Sequence, residues 1–342
     1  MNSCNRVLRA HPCVISAQAR PSTANIGSVA QGIGHRPWSW IFAGLSEKVT
    51  PAPLGSCPTN VVAASAVGLV AGRHKALEVG DEDILIYLDD DVRLPEGWFE
   101  RMLEPFGDPD VHFVGCRYLP DYECDPPSWM EGLWWEHDDV RTLGHLSLLE
   151  GGQAGRFYRP LLVWGLCFAV RRETVIKLCG FHPDAYPWEL RRFRGDGENG
   201  LALKAELLGL KAYYQGKTHV FHRVPSARMT PEYFERRSFL QGISDSYTQI
   251  RRDRLVPPAR LRSWKEPLRP IKWRFKREMI MRNLTTKGVC YLMNCAHMAG
   301  VQFHRNEVRN DPTLLEWVLK PDYFDYRLPE GWQKYLNQPR PA

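Results

Sequence analysis

No stretch of the 342-residue chain approaches the ~20 consecutive apolar residues that a helix needs to cross a bilayer. The longest mildly apolar run, Val61 to Ala71, is short and rich in Ala and Gly, so no spanning helix is expected. An apolar core is also missing near Arg6, Arg9 and Arg20, which speaks against a signal peptide and for a cytoplasmic location. C-x-x-C pairs are absent and the nine cysteines are odd in number, which argues against a disulfide framework and a zinc site. Excess charge is scarce over most of the chain as well. The formal net charge is +6, yet segment 251–282 alone holds twelve Lys or Arg against three acids, a local +9 that leaves the remainder slightly acidic.

What is present is an ordinary globular composition, 44% apolar and 25% charged, long enough for one large domain or two small ones. Residues 1–58 are rich in Ala, Ser, Gly and Pro without a sustained period, and read as a poorly defined N-terminal segment. From Val61 the pattern sharpens into an Ala-rich helix through Leu77, a polar turn, and the run Ile84-Leu85-Ile86-Tyr87-Leu88. Five apolar residues without alternation, between a turn and a charged cluster, suit a parallel strand buried on both faces. Leu94-Pro95-Glu96 opens a helix through Phe106. Leu161 to Trp164 and Leu166 to Val170 read as strand, Glu173 to Cys179 as a helix stopped by Gly180, and residues 197–208 as a helix stopped by Gly209. Leu210 to Tyr214 resume as strand, and after Thr230-Pro231 the chain turns helical. The alternation implies a layered α/β domain over 59–245, followed by a basic, mainly helical region over 246–342.

Asp89, Asp90 and Asp91 stand at the C-terminal edge of the buried strand, where ligands of open α/β sheets bind. Three adjacent carboxylates repel one another unless a cation stabilises them. A hard cation such as Mn²⁺ or Mg²⁺ takes one or two carboxylates and completes its shell with phosphates and water, which is what a nucleotide-diphosphate donor requires. The alternatives are a solvated acidic loop and the aspartate-rich signature of prenyl diphosphate enzymes, which lies on helices.

Segment 72–77 (Gly-Arg-His-Lys-Ala-Leu) with 84–92 resembles the helix and D-x-D strand of the family-2 glycosyltransferases, whose fold is GT-A. Trp164 to Arg172 is similar to that family's acceptor-side strand, Gly180-Phe181 to its continuation, and Gly195-Asp196-Gly197-Glu198 to the acidic motif that carries its catalytic base. The resemblance implies an α/β fold of GT-A type, a mixed and mostly parallel sheet flanked by helices, with the helical C-terminal extension. It implies Glu198 as the base with Asp196 as runner-up, donor contacts at Asp89, Asp90, Arg73 and Arg237, and metal ligation by Asp91, Asp89 and His222. Acceptor contacts are implied at Trp164 and Gly165, and the paired Trp134-Trp135 with the acids after it suits a sugar face, which adds Trp135. Against these stand plainer readings. Asp196 caps a helix, Glu198 favours the helix N-terminus, His222 is a lone structural histidine, and the tryptophans are core. Arg228, Arg236 and Arg237 suit a leaving diphosphate, with surface arginine as the alternative. The family's opening strand has only a faint echo in Cys13 to Ala17, and no convincing second strand follows it.

The function expected is an inverting, metal-dependent transfer from a nucleotide-diphosphate sugar to a hydroxyl of a saccharide or lipid-linked acceptor. Two other readings are a catalytically silent homologue that binds sugar or scaffolds, and nucleotidyl transfer at a two-metal site. Segment 251–282, interleaved with Trp264, Trp273 and Phe275, suits peripheral contact with an anionic membrane on its inner face, or else a solvated helix face. Nucleic acid is not expected as a partner, because no recognition motif accompanies the charge.

Overall fold

The computed structural model describes residues 13–18, 39–44, 59–63, 68–79, 82–89, 91–137, 139–257 and 269–336. The first three strands are β1 (Cys13–Gln18), β2 (Ser39–Gly44) and β3 (Thr59–Ala63), followed by α1 (Leu69–Val79), β4 (Ile84–Leu88) and β5 (Val92–Arg93). Then come α2 (Trp98–Leu103), β6 (Val111–Tyr122), β7 (Trp135–His137), β8 (Val140–Leu143), β9 (Leu148–Glu150), β10 (Arg156–Tyr158), β11 (Cys167–Arg171) and α3 (Arg172–Lys177). The chain continues through α4 (Glu198–Leu207), β12 (Lys211–Val224), α5 (Pro231–Asp253), α6 (Arg269–Arg282), α7 (Thr286–Asn310) and α8 (Pro312–Leu319).

These strands form one mixed sheet in the order β3-β2-β1-β4-β11-β6-β9-β8-β7, with β12 beside β6 and carrying β5 and β10. The α/β class, the central mixed sheet and the helical C-terminal region agree with expectation. The parallel share is smaller than expected. It comprises β3-β2-β1-β4 and the β6–β12 pair, whereas β11 lies antiparallel to both β4 and β6, and β7, β8 and β9 form an antiparallel meander. The short links within the β7–β8–β9 meander favour antiparallel neighbours, since parallel pairing needs a longer crossover.

Each face of β4 feeds its own core, which is why the run lacks alternation. Leu85 and Tyr87 join Phe168, Phe181 and Leu201 on one side, while Ile84, Ile86 and Leu88 join Trp98, Val114 and Tyr118 on the other. The expected helix from Val61 begins only at Leu69, because Val61 and Val62 belong to β3. Gly68 makes the break with φ +106, and a Cβ there would meet the Tyr186 ring at 2.7 Å. The second strand that could not be found in the sequence is Ser39–Gly44, parallel to β1. Leu161 to Trp164 is not strand. Pro160–Leu162 makes a short 3₁₀ turn with Pro160 at its start, where the fixed φ suits it. The helix expected to run from Leu94 through Phe106 starts at Trp98 and passes into a 3₁₀ turn at Glu104–Gly107 that contains Pro105.

The position 245/246 falls inside α5, and α8 places Leu314, Trp317 and Val318 in the same core as β4 and α4. Trp317 Nε1 donates to the Phe193 carbonyl at 3.0 Å. Helices α5 and α7 cross closely. A Cβ on Gly242 would lie 2.1 Å from the His297 carbonyl oxygen, and one on Gly300 would lie 2.0 Å from that of Phe239. No helix among the described residues is long and apolar enough to cross a membrane.

Candidate active site

Strand β1 has β2 on one side and β4 on the other, so the order reverses between β1 and β4, and the carboxyl ends of strands at such a point are where ligands of open α/β sheets bind. Asp89 leaves β4 at that edge and donates its backbone N–H to the Leu166 carbonyl at 2.9 Å. Two charged clusters lie to either side of it.

The first cluster holds Glu198. Its position at the start of α4 follows from Gly197, which takes φ +55 as the preceding residue and where a Cβ would press on Asp184. Arg73 on α1 donates from Nη1 to Glu198 Oε2 at 3.0 Å and from Nη2 to the Gly165 carbonyl at 3.2 Å. Gly165 in turn donates its N–H to Glu198 Oε1 at 2.9 Å. Both carboxylate oxygens are therefore engaged. A Cβ on Gly165 would come within 2.4 Å of Arg73 Nη2 and 2.7 Å of Glu198 Oε1, so any side chain there displaces the pair. Burial pushes the Glu198 carboxyl up, but Arg73 and the backbone donors outweigh it and hold its pKa below the ordinary value. Burial opposes the Arg73 cation, and Glu198 and Asp89 more than offset that.

The second cluster holds Asp91. Strand β5 pairs with β12 in a register that sets Val92 opposite His222, which brings the neighbouring Asp91 to the imidazole. His222 Nε2 lies 3.4 Å from Asp91 Oδ2. Its Nδ1 donates to the Leu146 carbonyl at 2.8 Å, which fixes the ring and leaves Nε2 as an acceptor. Arg228, at the end of the 3₁₀ turn Ser226–Arg228, donates to both: Nη2 to Asp91 Oδ2 at 2.8 Å and Nη1 to His222 Nε2 at 2.9 Å. Burial raises the Asp91 carboxyl, yet His222 in its protonated form and the Arg228 guanidinium hold its pKa below the ordinary value. The field of Asp89 acts on Arg228 as well as on Arg73, so Asp89 links the two clusters.

Residues 57–176 match the family model described as Glycosyl transferase family 2. This chain carries a family-2 glycosyltransferase segment. The glucosyl-dolichyl phosphate glucuronosyltransferase of Haloferax volcanii is 22% identical to it over 181 residues, 52% of this chain and 54% of that relative, so the chain spans about half the relative's length. Among solved structures, the mannosyltransferase PcManGT of Pyrobaculum calidifontis, in complex with GDP-Man and Mn²⁺, is 14% identical at a TM-score of 0.48, covering 94% of this chain and 89% of that one. GalNAc-T7 with UDP, GalNAc and Mn²⁺ is 16% identical at a TM-score of 0.46, covering 71% and 50%.

The family-2 segment contributes Arg73, Asp89, Asp91 and Gly165, while Glu198, His222 and Arg228 come from the chain that follows it. Other expected site residues lie elsewhere. Asp196 does not cap α4; the N-cap is Gly197, and Asp196 is buried with Oδ1 on His182 at 2.6 Å and Oδ2 accepting from Thr248 at 2.6 Å. Trp135 is 61% exposed on the edge strand β7, stacked on His137 and apart from Glu198 and Asp91 in the sheet order. Arg237 lies on α5, where its charge acts on His145 and Arg194 and its Nε is buried without a hydrogen-bond partner. Arg236 is exposed, with its guanidinium 5.6 Å from the Tyr233 ring centroid. Trp164 is half-buried and, with Asp196, Asn199 and α5 residues including Gln241 and Gln249, lines a cavity of about 470 Å³. Asp90 falls outside the described residues.

Asp91, Asp196 and Glu198 are all held below their ordinary pKa values, in each case by partners that outweigh burial. Such groups stabilise the fold fully above their unfolded values, ~3.9 for Asp and ~4.3 for Glu, and lose that contribution as pH falls through the lower folded values. The melting temperature is therefore expected to vary little with these groups between pH 7 and 5 and to drop below pH ~4. Differential scanning calorimetry across pH checks this, and Asp196→Asn should blunt the drop. Buried His74 and His145, whose pKa values burial lowers to about 4, add a separate loss that begins near their unfolded value of ~6.5, so an equal drop below pH ~4 in wild type and Asp196→Asn would contradict the carboxylate assignment.

Proposed function

We propose that the chain is an inverting glycosyltransferase that moves a sugar from a nucleotide-diphosphate donor to a hydroxyl acceptor with the help of a divalent cation. The observation that carries this reading is the arrangement of the two clusters around Asp89. A carboxylate held ionised at a helix start stands to one side, and a carboxylate–imidazole pair facing a cation stands to the other.

Among the described residues no group of three metal-ligating side chains is assembled. The pair that is assembled nevertheless suits a hard cation. Asp91 Oδ2 and an imidazole nitrogen fixed as an acceptor point to one place, and Asp89 follows the adjoining strand. Asp91, His222 and Asp89 would hold Mn²⁺ or Mg²⁺, with phosphate and water completing the shell. When bound, the cation supplies charge to the leaving diphosphate.

The residues of this chain then divide the work. Glu198 accepts the proton of the acceptor hydroxyl, whose oxygen bonds to the sugar carbon as the bond to the diphosphate breaks on the opposite face. Arg73 and the Gly165 N–H hold that carboxylate in place. Their bonds keep it ionised at neutral pH, at the cost of basicity. Arg228 provides a guanidinium group for the diphosphate. The polar cavity beside Trp164 and Asn199 supports an acceptor subsite, with the tryptophan face and side-chain amides suited to a sugar ring. A panel of nucleotide sugars with Mn²⁺, read by thermal shift and donor hydrolysis, tests the reading. Stabilisation by one donor only when metal is present supports it, and no response to any donor favours the silent, sugar-binding alternative.

A peripheral membrane contact belongs to the same proposal. Within 251–282, Arg251 donates to the Val318 and Lys320 carbonyls and Arg277 to Glu235, so those two serve the fold. Phe275 and Met279, one turn apart on α6, are 68% and 59% exposed beside Arg274 and Lys276. Co-sedimentation should show binding to phosphatidylserine vesicles and none to neutral ones. Replacing Phe275 and Met279 with serine should weaken it about thirtyfold, the scale of about 1 kcal/mol for each of the two lost surface contacts. Binding insensitive to lipid charge would rule this surface out.

A further inference from the structure

We propose that Arg228 is a resident counter-cation of the Asp91–His222 pair, so that a divalent cation enters this position together with a diphosphate that draws Arg228 away. The inference rests on the reading of Asp91 and His222 as metal ligands and says how their site is regulated.

Asp91 Oδ2 and His222 Nε2 stand 3.4 Å apart as two acceptors, an arrangement that repels unless a donor or cation lies between them. The Arg228 guanidinium meets that need with one N–H to each, at 2.8 and 2.9 Å. It thus keeps the pair assembled in the geometry a metal would use. It also places a full positive charge on the same two acceptor atoms that a metal would need, and two cations cannot share them. Arg228 is built to leave. It belongs to a short turn between Pro225 and the capping Thr230, and its side chain is 32% exposed. A diphosphate offers the guanidinium a bidentate partner of higher charge than one carboxylate. Metal and nucleotide then bind with positive coupling, each weaker alone.

Mn²⁺ binding to the whole chain, read by electron paramagnetic resonance of the free ion, tests this with and without UDP or GDP. The wild type is expected to bind Mn²⁺ weakly alone and more tightly with the nucleotide. Arg228→Gln, and Arg228→Met as a second neutral variant, should bind Mn²⁺ alone about tenfold more tightly, because the competing charge is gone. They should also lose most of the nucleotide's enhancement, while Arg228→Lys keeps the weak binding of the wild type. Circular dichroism melts identify any variant that does not fold. Neutral variants that fold and bind Mn²⁺ no more tightly than wild type overturn the proposal while leaving the metal site standing. If the wild type binds no Mn²⁺ even with either nucleotide, the metal reading itself fails and the inference falls with it.

Discussion

Glu198→Gln is expected to lower sugar transfer by ~10²–10⁴-fold, the usual contribution of a positioned general base, while Mn²⁺-dependent donor binding persists. Glutamine retains the shape but cannot take the proton, and it cannot satisfy both of its neighbours. Arg73 Nη1 and the Gly165 N–H are both donors, so one of them would face the amide NH₂. The variant should lose about 1–3 kcal/mol of stability on that account, since a buried donor is left unpaired. Gly165→Ala separates the two effects. It keeps the carboxylate but drives a methyl group to 2.4 Å from Arg73 Nη2, so the base is displaced and not abolished. A loss of about 10²-fold is expected, as for an ångström of misplacement. Single-turnover transfer assays beside thermal melts check both. A Glu198→Gln enzyme with more than a tenth of wild-type turnover would assign the proton to another group.

Asp91→Asn is expected to abolish the metal dependence of donor binding and to slow transfer by roughly 10³-fold, the kinetic equivalent of several kcal/mol of charge stabilisation. The amide removes the negative charge that faces Arg228 and His222, so the cation position is left with an imidazole and a guanidinium. Titrating Mn²⁺ into donor-hydrolysis assays of wild type and variant gives the answer. A variant whose hydrolysis still rises with Mn²⁺ would place the metal on other ligands. Because Asp91 is 23% exposed, the folded protein should tolerate the change better than the loss of Asp196, which is buried between His182 and Thr248.

Much of this site was legible in local pattern. The apolar run before Asp89 announced a strand buried on both faces, and the turn after it put the acids at the sheet's carboxyl edge. Gly195 to Gly200 announced a helix start bearing a carboxylate, which Gly197 provides. Local pattern was less reliable where a neighbour at long range decides conformation. Val61 and Val62 look helical among alanines, yet pairing with β2 makes them strand, and β2 itself carries no strong periodicity of its own. Asp196 and Glu198 are two residues apart and chemically alike, but only packing against His182 and Thr248 commits the first to the interior.

The α/β class, the acidic edge after β4, the carboxylate that opens α4 and the basic character of the C-terminal region are each written in contiguous residues and their period. Which charges meet is settled by the packing of distant segments. Arg73 finds Glu198 125 positions away, and Arg228 finds Asp91 137 positions away. The register of β5 on β12 and a carbonyl at Leu146 orient His222. Such pairings depend on strand order and register, which place distant segments side by side and leave no mark in the local pattern of either one.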